Sequence, residues 1–183
     1  MHNGVFDPNV FTRWQRSGEL IKLRNGVYLR SDFQIRGDVD RFLIAGNLYH
    51  PSYISLYSAL RYYNFIPESV YEVTSVSTRK SKSFTVRDTT YTYRHLKDNL
   101  FFGYQVVQWK GEPFLMATPE KALLDLAYLE PQFSEHSWVE GMRFDMMEIE
   151  DRLNWVNMFL YADIIGSDTV KKRITVLIET LWP

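Results

Sequence analysis

The residues able to do chemistry are few and poorly placed for catalysis. Four histidines (His2, His50, His95 and His136) are scattered, and no two stand at the spacing that puts a pair of metal ligands on one helix face. The chain has no cysteine, which removes thiol nucleophiles, thiolate zinc sites, iron–sulfur clusters and disulfide scaffolds together. Ser77-Thr78-Arg79-Lys80 has the Ser-x-x-Lys spacing of serine acylases. That chemistry needs a helix start and a buried lysine, whereas this motif falls in a polar loop after a strand. Glu19-Leu20-Ile21-Lys22 mimics one fragment of a metal-dependent nuclease but lacks a carboxylate-bearing strand upstream. Gly18, Gly26 and Gly37 form neither a P-loop nor a dinucleotide fingerprint. Asp125 is the one acidic residue inside an apolar helical run, and it reads first as a cap or ion-pair partner for a neighbouring strand or loop. No catalytic constellation survives, so the expectation is a non-enzymatic protein with no metal and no cofactor.

What remains is electrostatic. The net charge of −1 hides an asymmetry: residues 1–110 hold 15 Lys/Arg against 9 Asp/Glu, and residues 111–183 hold 6 against 13. A basic front half suits a polyanion and an acidic rear half suits a basic protein or a solvated face. Within the first 30 residues, Arg13 and Arg16 stand on an expected helix, while Lys22, Arg24 and Arg30 lie on or beside an expected hairpin. Helix side chains of this kind can enter a major groove and a basic hairpin can grip the adjacent phosphates; a solvated helix and turn fits the charge equally. Arg79, Lys80 and Lys82 in STRKSKS make a second basic loop that could touch phosphates or a partner. Tyr62-Tyr63 and Phe101-Phe102-Gly103-Tyr104 could stack bases, although their position beside core elements favours packing.

These groups need elements to position them. With 183 residues, 45% apolar and 16% aromatic, the chain can bury a core, and no apolar run is long enough to span a bilayer. The amino terminus has neither the basic start nor the apolar stretch of a signal peptide, so a cytoplasmic setting is expected. Asp7-Pro8 reads as a cap and first helical position, Val10, Phe11 and Trp14 as one helix face, and Gly18 as its stop. Leu20–Leu23 and Val27–Leu29 flank Arg24-Asn25-Gly26, a hairpin signal. Residues 31–37 read as a linker. Val39, Phe42, Leu43 and Gly46 predict a helix over about 38–49. His50-Pro51 ends it, and Ser52 is expected to cap a second helix carrying Leu56, Ala59, Leu60 and Tyr63. Strands are predicted at Val70–Val76, Phe84–Arg87, Thr90–His95, Tyr104–Trp109 and Phe114–Ala117, making a mostly antiparallel sheet of four or five strands. Thr118-Pro119-Glu120 starts a helix that is apolar nearly all round. Ile149, Leu153, Val156 and Leu160 predict one further helix, and Val170, Ile174, Leu177 and Leu181 the last.

The stretch FTRWQRSGELIKLRNGVYL (11–29) resembles the recognition helix and wing of the AbiEi antitoxin family. Residues 51–80, 93–104 and 117–129 resemble the body of the same family in the same order, so the likeness covers roughly residues 11–130. It implies an antitoxin of a type IV toxin–antitoxin (abortive infection) pair that represses its own promoter. The implied partner is a nucleotidyltransferase-like toxin, AbiEii, countered without a stable complex. It places Arg13 and Arg16 on the recognition helix and Lys22, Arg24 and Arg30 at the wing. A winged helix-turn-helix has two helices before its recognition helix, and only six residues precede Asp7. The expectation is therefore a partial winged helix whose apolar face packs on the body or on another subunit.

The fold expected is α+β: a partial winged helix-turn-helix at 1–30, an α+β body of helices on a mostly antiparallel sheet at 38–130, and a helical extension at 131–183. The function expected is an antitoxin-like transcriptional regulator that binds promoter DNA, with no membrane association. Two other readings stay open. One is a nucleic-acid-processing enzyme with Asp125, His95 and the STRKSKS loop near one pocket. The other is an interaction module that works as a homo-oligomer through its acidic helical tail.

Overall fold

A computed structural model describes residues 9–67 and 72–183. The Asp7-Pro8 helix start and the first two residues of the strand expected at Val70–Val76 lie outside them. Helix α1 (Val10–Arg16) runs into Gly18, whose φ of +78° lets the chain reverse into β1 (Leu20–Arg24) and β2 (Val27–Arg30). The two strands pair antiparallel from Leu20↔Arg30 to Arg24↔Val27, with a bulge between Lys22 and Arg24. Phe11 stacks on Tyr28 at 5.1 Å, which lays α1 against the hairpin. The apolar face of the hairpin rests on the body: Leu23, Leu29, Phe33 and Ile35 pack against the core. Arg87 donates to Phe33 O (3.2 Å) and Ser31 O (3.3 Å), tying the following linker down.

The body begins with α2 (Asp38–Leu48), whose Phe42, Leu43, Ile44, Ala45 and Leu48 are buried. Ser52, expected to cap the next helix, instead opens a strand, β3 (Ser52–Ile54), and α3 (Leu56–Tyr62) starts after Ser55. The cap is supplied from elsewhere. The Ser58 N–H donates to Thr74 Oγ1 (3.0 Å), and the Thr74 hydroxyl donates to Ser55 O (2.8 Å). A neighbouring strand therefore satisfies a helix-end donor that a local serine was expected to satisfy. That strand is β4 (Glu72–Ser77), followed by β5 (Lys82–Val86), β6 (Thr89–His95), β7 (Tyr104–Trp109) and β8 (Glu112–Ala117). In β6, Tyr91 and Tyr93 are buried while Thr90, Thr92 and Arg94 are half-buried, and the alternation ends at His95, which is exposed. Lys110 and Gly111 both take positive φ (+52° and +81°), the geometry of a tight two-residue hairpin turn between β7 and β8.

The described strands of the body form a six-stranded sheet in the order β5-β6-β4-β3-β8-β7. It exceeds the expected four or five because β3 was read as the start of a helix. Its pairings are antiparallel at β5–β6, β3–β4 and β7–β8, and parallel at β4–β6 and β3–β8. With the separate β1–β2 hairpin, four of the six strand pairs are antiparallel.

Helix α4 (Pro119–Leu129) is the hub. Thr118 accepts from the Lys121 N–H, Pro119 takes the first turn, and the eight residues from Glu120 to Ala127 are all buried. Glu120 also accepts from the Asn154 N–H (2.8 Å), where another helix begins. The rest is helical: α5 (His136–Gly141), α6 (Met146–Arg152), α7 (Trp155–Ile165) and α8 (Asp168–Leu181). The single helix expected through Ile149, Leu153, Val156 and Leu160 is thus two. Asn154 caps α7 by accepting from the Asn157 N–H, and the chain bends at Leu153. Ile149 and Leu153 are buried as expected, but Val156 and Leu160 face outward and α7 buries Met158 and Ala162 instead. Val170, Ile174 and Leu177 seat α8 as its spacing predicts. Among the described residues no helix is long and apolar enough to cross a membrane.

Candidate nucleic-acid interface

The basic residues singled out in the sequence separate into three settings. Arg13 and Arg16 are exposed in the last turn of α1, and Lys22 is exposed on β1. Arg30 ends β2 with its guanidinium bound to Asp32 at 2.6 Å, so part of its charge is already spent within the linker. Arg24 behaves differently. It is half-buried where the hairpin meets the body, and its Nε is buried with no hydrogen-bond partner in the protein.

Arg79 and Lys80 are exposed between β4 and β5, and Lys82 is exposed at the first position of β5. Their loop is held firmly from both sides. Ser77 Oγ donates to Pro51 O (2.6 Å) and accepts from the Arg79 N–H (3.1 Å). The Tyr49 hydroxyl donates to Lys80 O (3.1 Å), and the His95 N–H donates to Ser81 Oγ (2.9 Å). His95 Nδ1 lies 3.1 Å from Arg79 O. The Arg79 guanidinium sits 5.7 Å from the Tyr49 ring centroid and the Lys82 ammonium 5.0 Å from that of Phe84. Tyr49, Phe84 and Tyr93 pack on one another at 5.1–5.9 Å between centroids, a rigid aromatic base for the loop.

His50 feels charge from both regions. Burial lowers its pKa, and the positive charges of Arg24 and Arg79 lower it further. One guanidinium comes from the hairpin and the other from the β4–β5 loop, 55 residues apart in sequence. Sequence reasoning named both groups but did not join them. Their placement depends on the path of the chain through β3, which was expected as the start of a helix.

The residues offered for catalysis are otherwise engaged. Asp125 is sealed inside the protein: its Oδ2 accepts from Tyr53 Oη (2.9 Å) and Ser55 Oγ (2.7 Å), and its Oδ1 accepts from Lys121 Nζ. Lys121 Nζ also donates to Tyr53 Oη (2.9 Å). Burial pushes the Asp125 carboxyl up, while Lys121, Ser55 and Tyr53 pull it partly back. The expected ion pair is therefore real, with its partner on the same helix rather than on a neighbouring strand or loop. Lys121 was missed, although its i,i+4 spacing from Asp125 on an apolar helix was a usable signal. His95 belongs to the basic loop, and the Ser77 hydroxyl bonds Pro51 O rather than Lys80. Among the described residues no three His, Asp or Glu side chains are grouped closely enough to hold a metal ion.

The aromatic pairs divide. Tyr63 is buried with its hydroxyl donating to Ala117 O (2.7 Å), and Phe101 packs on Tyr53 at 4.9 Å. Tyr62 and Tyr104 are partly open, Tyr104 being stacked on Tyr53 at 5.0 Å. Neither a described protein family nor a curated protein matches the chain significantly.

Proposed function

We propose that the chain is an antitoxin-like transcriptional regulator that binds promoter DNA without catalysing a reaction. The observation that carries this reading is the exposed basic loop of Arg79, Lys80 and Lys82, held by hydrogen bonds with Tyr49, Pro51 and His95 and seated on an aromatic base. It presents three cations on a firmly held loop. Phosphates are spaced regularly along a duplex, and a fixed row of cations matches them with little ordering cost. In this reading Arg13 and Arg16 on α1 read base edges, and Lys22 on the hairpin and Arg79, Lys80 and Lys82 hold the backbone. The regulator's pairing with a nucleotidyltransferase-like toxin, and its cytoplasmic setting, follow from the resemblance described above.

The test is a salt-titrated binding assay on the chain's own upstream DNA with scrambled duplex as control. Specific binding is expected, and Arg79→Ala or Lys80→Ala should each reduce the salt slope by about one and weaken both duplexes alike. Equal affinity for both duplexes, or unchanged slopes in both variants, refutes the reading. Co-expression with a nucleotidyltransferase-like toxin tests the second part, rescue of growth being the expected result.

A further inference from the structure

We infer that the gap between the β1–β2 hairpin and the body is a binding site for a small hydrophobic amine, one aromatic ring carrying a protonated amino group. The gap measures about 160 Å³. Leu23, Val27 and Leu29 line it from the hairpin, Phe33 from the linker, and Leu43 and Ile44 from α2. Protein interiors rarely keep a void larger than a water molecule. Here Leu43 and Ile44 are closed off, at 6% and 4% exposed, while the four side chains facing them stay half-buried. The two apolar walls therefore stand apart instead of closing on each other. A cavity of about 150 Å³ walled by Leu, Ile and Phe holds one benzene-sized ring. Joints between packed units, apolar inside with a few polar groups, are where small ligands settle.

The polar groups select the charge of the occupant. Among the described residues that line the gap, only Tyr28, Asn47 and Glu112 have polar side chains, and none is basic. Asn47 donates its amide N–H to Leu43 O (2.9 Å), which leaves its Oδ1 as an acceptor. Glu112 is exposed at the rim, and its carboxylate has no partner among the described residues. Lys110, close by in the β7–β8 turn and 5.8 Å from the Phe33 ring centroid, is already held by Asp40 at 2.7 Å. The rim thus offers oxygen acceptors and one unanswered negative charge above an apolar floor. A ring with an ammonium group satisfies both, whereas a ring with a carboxylate would set like charges together. The inference stands apart from what α1 and the hairpin bind.

Calorimetric titration of the full chain with phenethylamine tests it, with phenylacetate supplying the same ring and the opposite charge. The amine should bind with a Kd of about 1 mM or tighter, and at least about tenfold more tightly than phenylacetate. Glu112→Gln, at an exposed position, should weaken the amine at least about threefold and bring the two ligands to within about threefold of each other. Val27→Phe, an aromatic at a half-buried strand position, should fill the gap and weaken the amine at least about tenfold in a chain that still unfolds cooperatively. Bound amine should also slow hydrogen exchange of the hairpin amides, because it bridges the hairpin to the body. The proposal is overturned if the amine fails to bind at about 10 mM, or binds no better than phenylacetate. It is equally overturned if either folded variant leaves amine binding unchanged.

Discussion

Asp125 and Lys121 form an ion pair that water does not reach, with side chains 1% and 0% exposed. Removing one member of such a pair strands the other charge, at about 3–5 kcal/mol. Asp125→Ala also takes the acceptor away from Ser55 Oγ and Tyr53 Oη, at about 1–3 kcal/mol for each buried donor left unmet. A loss near 5 kcal/mol is therefore expected, comparable with the whole stability of a marginal domain, and at about 2–4 °C per kcal/mol it lowers Tm by 10–20 °C. Lys121→Met keeps the stem that packs beneath Gly103 and leaves Asp125 its two hydroxyl donors, so about 3 kcal/mol is expected. The double variant Lys121→Met with Asp125→Asn removes both charges and retains an amide oxygen for one hydroxyl. It should cost less than the sum of the singles by at least about 2 kcal/mol. The pH dependence supplies a second check. Burial already raises the Asp125 carboxyl, and losing Lys121 raises it further. A carboxyl raised above its unfolded value contributes stability at low pH that is lost as pH rises through the folded value. The deficit of Lys121→Met should accordingly be smaller at about pH 5 than at about pH 8 in urea titrations. Additive single variants, or an Asp125→Ala loss below about 1 kcal/mol, would refute the assignment of these two residues as one buried pair.

Gly103 has φ +70°, and a Cβ there would lie 3.0 Å from Lys121 Cγ. Gly103→Ala should cost about 2–3 kcal/mol in thermal or urea unfolding, while Gly18→Ala, which meets nothing within 4 Å, should cost only the backbone penalty of about 1 kcal/mol. Burial pushes the Asp40 carboxyl up, but the Lys110 ammonium, the Arg36 N–H and the Trp109 indole N–H outweigh it and bring it down to about 2. The resulting stability is present above the unfolded value of 3.8 and is lost as pH falls toward 2. It should amount to about 1–2 kcal/mol and be absent from Asp40→Asn in acid titrations of unfolding. Arg13→Ala with Arg16→Ala should leave the unfolding curve unchanged and reduce the ratio of specific to scrambled-duplex binding at least about tenfold; an unchanged ratio removes α1 from base recognition.

The elements most legible in the sequence are those whose signals are local. Thr118-Pro119 starts α4 by chemistry contained in two residues, and the Gly26 turn closes the β1–β2 hairpin in the same way. The features missed depend on partners distant in sequence. Ser52-Tyr53-Ile54 has too few residues to show a strand period and becomes one only because β4 and β8 offer edges on both sides. Ser55, placed to cap α3, gives its hydroxyl to Asp125 across 70 residues. The apolar spacing through Val156 and Leu160 was real, but it marked an outward face rather than a core. Within the candidate interface the residue types were legible and the support of the basic loop was not, because Tyr49, Pro51 and His95, which hold it, come from separate places in the chain.

The three residues of β3 join the sheet's two halves, β5-β6-β4 and β8-β7. On the β8 side the register is one residue pair, Ile54↔Met116, some sixty positions apart in the chain. Closing so long a loop costs entropy before the new contacts repay it. Each half can gather from nearer contacts, whereas their union must wait for that closure. The seating of β3 is therefore expected to follow the rate-limiting step of folding. Conservative substitutions at Tyr53 or Ile54 should then accelerate unfolding far more than they slow refolding, which makes this short strand the place where the lifetime of the native state is set.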